Sequence, residues 1–169
     1  MKAKEITLCA VLTALALALS YTEQFIPLQL LIPLPGIKLG LANLVTVIAL
    51  YSLGNGAAFA VSMVRILLSG LTFQGLSVML YSLAGGLFSF FVMAAAKRYT
   101  GLSVIGISIL GGVTHNLGQL LLAALVLKTE ALLYYFPPLM LAGTVAGLLI
   151  GLMGGMVIRR ILPYLSGRR

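Results

Sequence analysis

Aspartate is absent from this chain of 169 residues, and its acids amount to three glutamates, Glu5, Glu23 and Glu130. That scarcity excludes several chemistries at once. Paired-carboxylate hydrolysis needs two acids flanking one bond. Two-metal centres and oxygen cages for Mg²⁺ or Ca²⁺ need more carboxylates still. One cysteine, Cys9, excludes an internal disulfide and a cysteine-built metal site, and the single histidine, His115, has no second imidazole to share a metal with. No GxxxxGK run followed by Ser or Thr occurs, so no P-loop for a nucleotide is expected. No metal and no cofactor are expected, and catalysis by this polypeptide alone is not: the chain reads as a non-enzyme. Charge of either sign is also scarce, at 8% of residues against about 25% in soluble domains.

What is present is apolar. Hydrophobic residues make up 61% of the chain and the mean hydropathy is +1.14, so a bilayer must cover most of the surface. At about 20 residues per span, the apolar runs divide into six, near 6–26, 39–53, 56–72, 75–96, 102–127 and 133–158. The expected fold is an all-α integral membrane protein, one domain over 1–169, built as a six-transmembrane-helix bundle. Spans two and three are short and share the turn "SLGNGAA", with Asn55-Gly56 as the break.

Basic residues orient the bundle, because Lys and Arg are retained on the cytoplasmic side. Lys2, Lys4, Lys97, Arg98, Arg159, Arg160, Arg168 and Arg169 fall on one side of a six-span chain, whereas Lys38 and Lys128 fall on the other. Both termini are therefore expected to be cytoplasmic, in a multi-pass protein of a bacterial-type cell membrane. The net charge of +8 reads as topology and contact with anionic lipid, with no nucleic-acid partner. The N-terminal "MKAKEITLCAVLTALALALS" also has the form of a signal peptide, with Ala16-Leu17-Ala18 as a cleavage-like site. Cleavage would leave five spans and send one charged end to the wrong side, so the segment is read as span one.

Two spans carry stripes of small residues. Ala10, Ala14 and Ala18 recur every four positions in span one, and Gly143, Gly147, Gly151 and Gly155 do so in span six. Residues four apart share a helix face, and small ones let backbones approach closely in lipid. Each stripe is either packing within the bundle or a dock for another membrane protein. Thr13, Ser20 and Glu23 lie roughly 130° from the alanines on a wheel of about 100° per residue. Span one thus has a small face and a separate polar face.

Tracing the six spans assigns a depth to each intramembrane polar group. Glu23 lies near the outer end of span one, and Lys38 and Asn43 open span two from outside. Arg65 lies about two-thirds of the way out along span three, on a stripe with Ser62, Ser69 and Thr72. Gln74 is at the outer turn and Tyr81 is in the outer half of span four. His115, Asn116 and Gln119 lie at or just beyond the middle of span five. All converge on the outer half. Burying such groups in hydrocarbon costs several kcal/mol each unless they are paired or face water, and intramembrane charges mark ligand or ion paths. Arg65 is either an ion-pair partner of Glu23 or a ligand contact. His115, Asn116 and Gln119 either bridge helices or line a pocket.

Residues 27–38, "PLQLLIPLPGIK", hold three of the six prolines and cannot continue a helix, yet they are apolar. A lid-like or re-entrant segment over an outward pocket accounts for both properties, and it brings Lys38 to the rim. Lys38 above Arg65 predicts a small ligand with a carboxylate or phosphate and an apolar part. The expected binding residues are Glu23, Lys38, Asn43, Arg65, Gln74, Tyr81, His115, Asn116 and Gln119.

At "PGIKLGLANLVTVIALYSLG", "YSLAGGLFSFFVM" and "GGVTHNLGQL", the chain resembles the Gx transporter family, also known as heptaprenyl diphosphate synthase component I. In size and pattern that family is similar to the S components of energy-coupling factor (ECF) transporters. The resemblance implies a six-helix substrate-binding subunit that works with a membrane coupling subunit and ATPases supplied by other chains. It also implies that Ala10, Ala14 and Ala18 dock the coupling subunit and that the first loop covers the substrate. The family's other name implies an alternative, a membrane subunit of a prenyl diphosphate synthase. Such synthases hold Mg²⁺-diphosphate on aspartate-rich motifs, so this chain would be a noncatalytic partner in that reaction.

Overall fold

Apolar runs bounded by glycine, proline or charge fold into six helices in the computed structural model, which describes residues 3–26 and 40–165. They are α1 (Ala3–Glu23), α2 (Leu41–Ser52), α3 (Asn55–Ser69), α4 (Leu76–Tyr99), α5 (Val104–Leu127) and α6 (Phe136–Leu165). The expected spans correspond to these in order, and five of the helical segments are long and apolar enough to cross a membrane. Residues 27–38, read as a lid, and Lys38 at its end lie outside the described residues.

The exception in length is α2. Its 12 residues extend about 18 Å at 1.5 Å each, well short of a hydrocarbon core about 30 Å thick. It is also the most enclosed helix, with Val45 to Leu50 all buried. The six helices form a ring in the order α1, α2, α6, α5, α4, α3 and back to α1, with α2 also touching α3. The C-terminal end of α2 is fixed where the Lys97 ammonium, in the last turn of α4, donates to the Leu50 carbonyl at 2.5 Å. The same ammonium lies 4.7 Å from the centre of the Tyr51 ring.

Local chemistry sets the breaks. The α2–α3 turn differs by a residue or two from expectation: Asn55 is the first residue of α3, and the chain reverses at Leu53–Gly54, where Gly54 has φ +92°. Span three does not end cleanly. It runs on from α3 into a π turn over Gly70–Gln74 and stops at Gly75, φ +86°. A π turn widens the helix by one residue per turn and is commonly found at functional sites. Here it carries Gln74 inward. At the opposite end, Ser103 caps α5 by accepting from the Gly106 amide.

Glycine decides the tightest contact. A Cβ on Gly147 would lie 2.5 Å from the Ser108 carbonyl oxygen, and one on Gly151 would lie 2.6 Å from the Ile105 Cα. Gly143 likewise faces Gly112 backbone to backbone. Three glycines of the α6 stripe are therefore spent on packing against α5. The fourth, Gly155, has open space beside it. The alanine stripe differs: Ala10, Ala14 and Ala18 are all exposed on α1, whereas Ala16 and Ser20 are buried and Thr13 and Glu23 half-buried.

Candidate functional site

The ring of helices encloses a polar cavity, lined from every helix and from the π turn. Its volume is about 50 Å³, room for a few waters or for one small acidic group. Glu23 enters from α1, Asn43 from α2 and Arg65 from α3. Gln74 comes from the π turn, and His115, Asn116 and Gln119 come from one face of α5. Seven of the nine residues expected from depth and spacing thus share one wall-to-wall space. Lys38, the eighth, lies outside the described residues. Tyr81 is a correction. It is half-buried but is not among the lining residues, and its neighbour Ser82 takes that place. Adjacent residues on a helix point about 100° apart, so depth alone does not say which of the two faces inward.

Arg65 is the centre of the arrangement. It is 7% exposed, and its neighbours on the stripe, Ser62 and Ser69, are buried as well. Thr72, the fourth member, is exposed and returns its hydroxyl to the Leu68 carbonyl, so the polar stripe ends where the π turn begins. Arg65 Nη2 donates to Asn43 Oδ1 at 3.2 Å. Its Nε has no hydrogen-bond partner among the described residues. Glu23 attracts the guanidinium electrostatically, so both readings of Arg65 are structurally open: it is paired, and it faces a cavity.

The N-terminus of α2 forms the roof beside it. Gly40 caps the helix in the left-handed region, φ +74°, with no side chain accepting from the first turn. Its amide donates instead to Glu23 Oε1 at 2.5 Å. Gly40, Ala42 and Asn43 all line the cavity, so the positive end of the α2 dipole is directed into it. Helix N-termini present unpaired backbone N–H groups and a positive dipole end, which suit an anionic group. The end of α1 is tied to the π turn by the Tyr21 ring, whose centre is 5.3 Å from that of Phe73. That contact holds Glu23 and Gln74 on the same side of the space.

The α5 residues divide in role. Asn116 Nδ2 donates to the Leu139 carbonyl of α6 at 2.8 Å, which makes it a bridge between helices as well as part of the wall. His115 and Gln119 pack against α4, where a Cβ on Gly85 would lie 2.7 Å from the His115 carbonyl oxygen and 2.8 Å from the Gln119 Cγ. The lining also includes Gly143, Ala146 and Ile150 of α6 and Ser20 and Ser82. Sequence reasoning missed these. Ser20 stood on the polar face of span one and could have been included; the α6 residues carry no polar atom to mark them. Among the described residues no group of His, Cys, Asp or Glu is placed to hold a metal ion.

The chain matches the family described as heptaprenyl diphosphate synthase component I over residues 12–157. That range contains every residue named above as lining the cavity. No curated protein and no solved structure matches.

Proposed function

The chain belongs to the heptaprenyl diphosphate synthase component I family, and we propose that it is the ligand-binding membrane subunit of a small-molecule importer. The ligand is anionic or amphipathic, its acid group held in the outer half of the bundle, and the energy comes from a coupling subunit and ATPases on other chains, as in ECF transporters. One observation carries the reading: a buried arginine with an unused N–H faces a cavity that the N-terminus of a half-length helix also faces. Several further polar side chains converge on that cavity, more than helix pairing alone requires. The volume suits a headgroup and not a prenyl chain, so any apolar part of the ligand lies beyond it. The exposed Ala10, Ala14 and Ala18 face supports docking of the coupling subunit on α1.

The family description favours a second reading, a noncatalytic membrane subunit that associates with a prenyl diphosphate synthase. The absence of aspartate leaves diphosphate chemistry to the partner. Affinity purification separates the two: a coupling subunit and ATPases co-purify in the first case, a soluble synthase in the second. Ligand binding itself is tested by native mass spectrometry of the purified protein against a metabolite library. The ligand found there must bind less tightly to Arg65→Ala and Gln119→Ala; unchanged affinity in both overturns the placement.

A further inference from the structure

Among the described residues, the charges facing the cavity balance. Among the described residues the ionisable groups lining it are Glu23 from α1, Arg65 from α3 and His115 from α5; α2, α4, α6 and the π turn contribute none. With the imidazole neutral, the sum is zero. The Glu23 carboxylate occupies the position that an anionic ligand would want, accepting from the Gly40 amide at the head of α2 and attracting Arg65. A second anion in this enclosed space would set two negative charges on one guanidinium, and a low-dielectric site does not hold such a pair without a proton on one of them.

We infer that Glu23 is the cavity's resident anion, which an incoming acid group replaces at the head of α2 while the Glu23 carboxylate takes up one proton. This rests on the ligand reading above and adds its regulation. In the exchange one O–H bond forms on Glu23; its proton comes from the buffer acid in bulk solvent, which is left as its conjugate base. The Gly40 N–H passes from the glutamate to the ligand's oxygen, and the Arg65 Nε–H, which has no acceptor among the described residues, gains one. The summed charge of Glu23, Arg65 and the ligand's acid group stays at zero. Glu23 is held for this role because it closes α1, its own carbonyl accepting from the Ile26 amide at 3.2 Å, and because the Tyr21–Phe73 contact fixes that end of the helix. Binding is therefore coupled to protons.

The experiment uses methanesulfonate, a small monoanion whose own charge is constant from mildly acidic to mildly alkaline pH. Its binding to the full chain in lipid nanodiscs is measured by calorimetry in two buffers of different ionisation enthalpy, which counts protons. The wild-type chain should take up about one proton per anion and lose affinity by up to about tenfold per pH unit as pH rises. Glu23→Gln keeps an acceptor for the Gly40 amide but carries no charge; it should bind about tenfold more tightly at mildly alkaline pH, with no proton uptake. His115→Gln should retain the uptake. Binding to Glu23→Gln with none to the wild type also supports the inference. Wild-type binding without proton uptake overturns it, as does uptake that survives Glu23→Gln and disappears in His115→Gln; either result leaves the ligand reading standing. No binding to wild type or Glu23→Gln at any pH overturns the ligand reading, and this inference with it.

Discussion

Arg65 of α3 donates to the Asn43 side chain in the first turn of α2, at 3.2 Å, and so joins the most buried charge among the described residues to the shortest of the six helices. The pairing places an arginine where hydrocarbon would otherwise make it costly, at about 2.5–3.5 kcal/mol on insertion scales. It also turns a single acceptor toward a group with five donors. Part of the remaining demand is met electrostatically by Glu23.

That division predicts a coupling between α1 and α3. Arg65→Met should destabilise the wild-type chain, because Glu23 is left without its cation. In a Glu23→Gln background the same substitution should cost less, since neither charge then remains. A double-mutant cycle by thermal unfolding in detergent should return a coupling of about 0.5–3 kcal/mol. Additive effects would mean that Glu23 and Arg65 do not interact. Asn43→Ala, which removes an acceptor from a buried guanidinium, should cost about 1–3 kcal/mol.

A second prediction separates two glycines of one stripe. Gly147→Ala puts a methyl group against the backbone of Ser108 and Ile109, at 2.5 and 2.6 Å. Backbone does not yield as a flexible side chain would, so α5 and α6 must move apart, at about 1–3 kcal/mol. Gly155→Ala meets nothing within 4 Å and gains about 0.5–1 kcal/mol of helix propensity. Unfolding midpoints should therefore shift in opposite directions. Equal losses would indicate that the Gly155 side of α6 is also a packed interface.

Much of this architecture was legible in the sequence because lipid is a demanding solvent. It forces spans to be apolar and helical, so six apolar runs of the chain marked six helices, five of them long enough to cross a membrane. It also makes every buried polar group conspicuous, which is why depth alone brought Glu23, Asn43, Arg65, Gln74, His115, Asn116 and Gln119 toward one level. What stayed hidden carries no such mark. Gly143, Ala146 and Ile150 line the cavity with backbone and methyl groups, and nothing in their chemistry distinguishes them from lipid-facing neighbours. The π turn at Gly70–Gln74 arises from how α3 meets α4, where Gly70 accommodates Met79, and that is a tertiary event. Tyr81 and Ser82 occupy nearly the same depth, and only the rotation of α4 chooses between them.

The third prediction concerns the face that the bundle leaves open. Ala14 is exposed on α1, flanked one turn away by Ala10 and Ala18. Ala14→Leu adds bulk at a position that is exposed among the described residues, so folding and methanesulfonate binding should be unchanged. Association with a membrane partner that packs on this stripe should fall, because close helix approach needs small side chains. Co-purification from native membranes measures it. Recovery of the partner at wild-type yield would remove the stripe from the interface.

The last prediction addresses how a short helix is held in register. Lys97 donates to Leu50 at the C-terminal end of α2 and lies over the Tyr51 ring, so its charge complements both the helix dipole and the aromatic face. Lys97→Met retains the stem and loses the ammonium. The Leu50 carbonyl is then left at a helix end with no cation, and the expected cost is about 1–2 kcal/mol. The consequence should reach the far end of α2, because a rod of about 18 Å set loose at one end does not hold Gly40 and Asn43 against Glu23 and Arg65. Methanesulfonate affinity should therefore fall in Lys97→Met although the substitution lies outside the cavity, and Lys97→Arg, which keeps a cation there, should recover part of it. Calorimetry on the three proteins decides the matter. Stability lost with affinity retained would show that α2 is positioned by its buried sides alone, and that Lys97 serves only the end it touches.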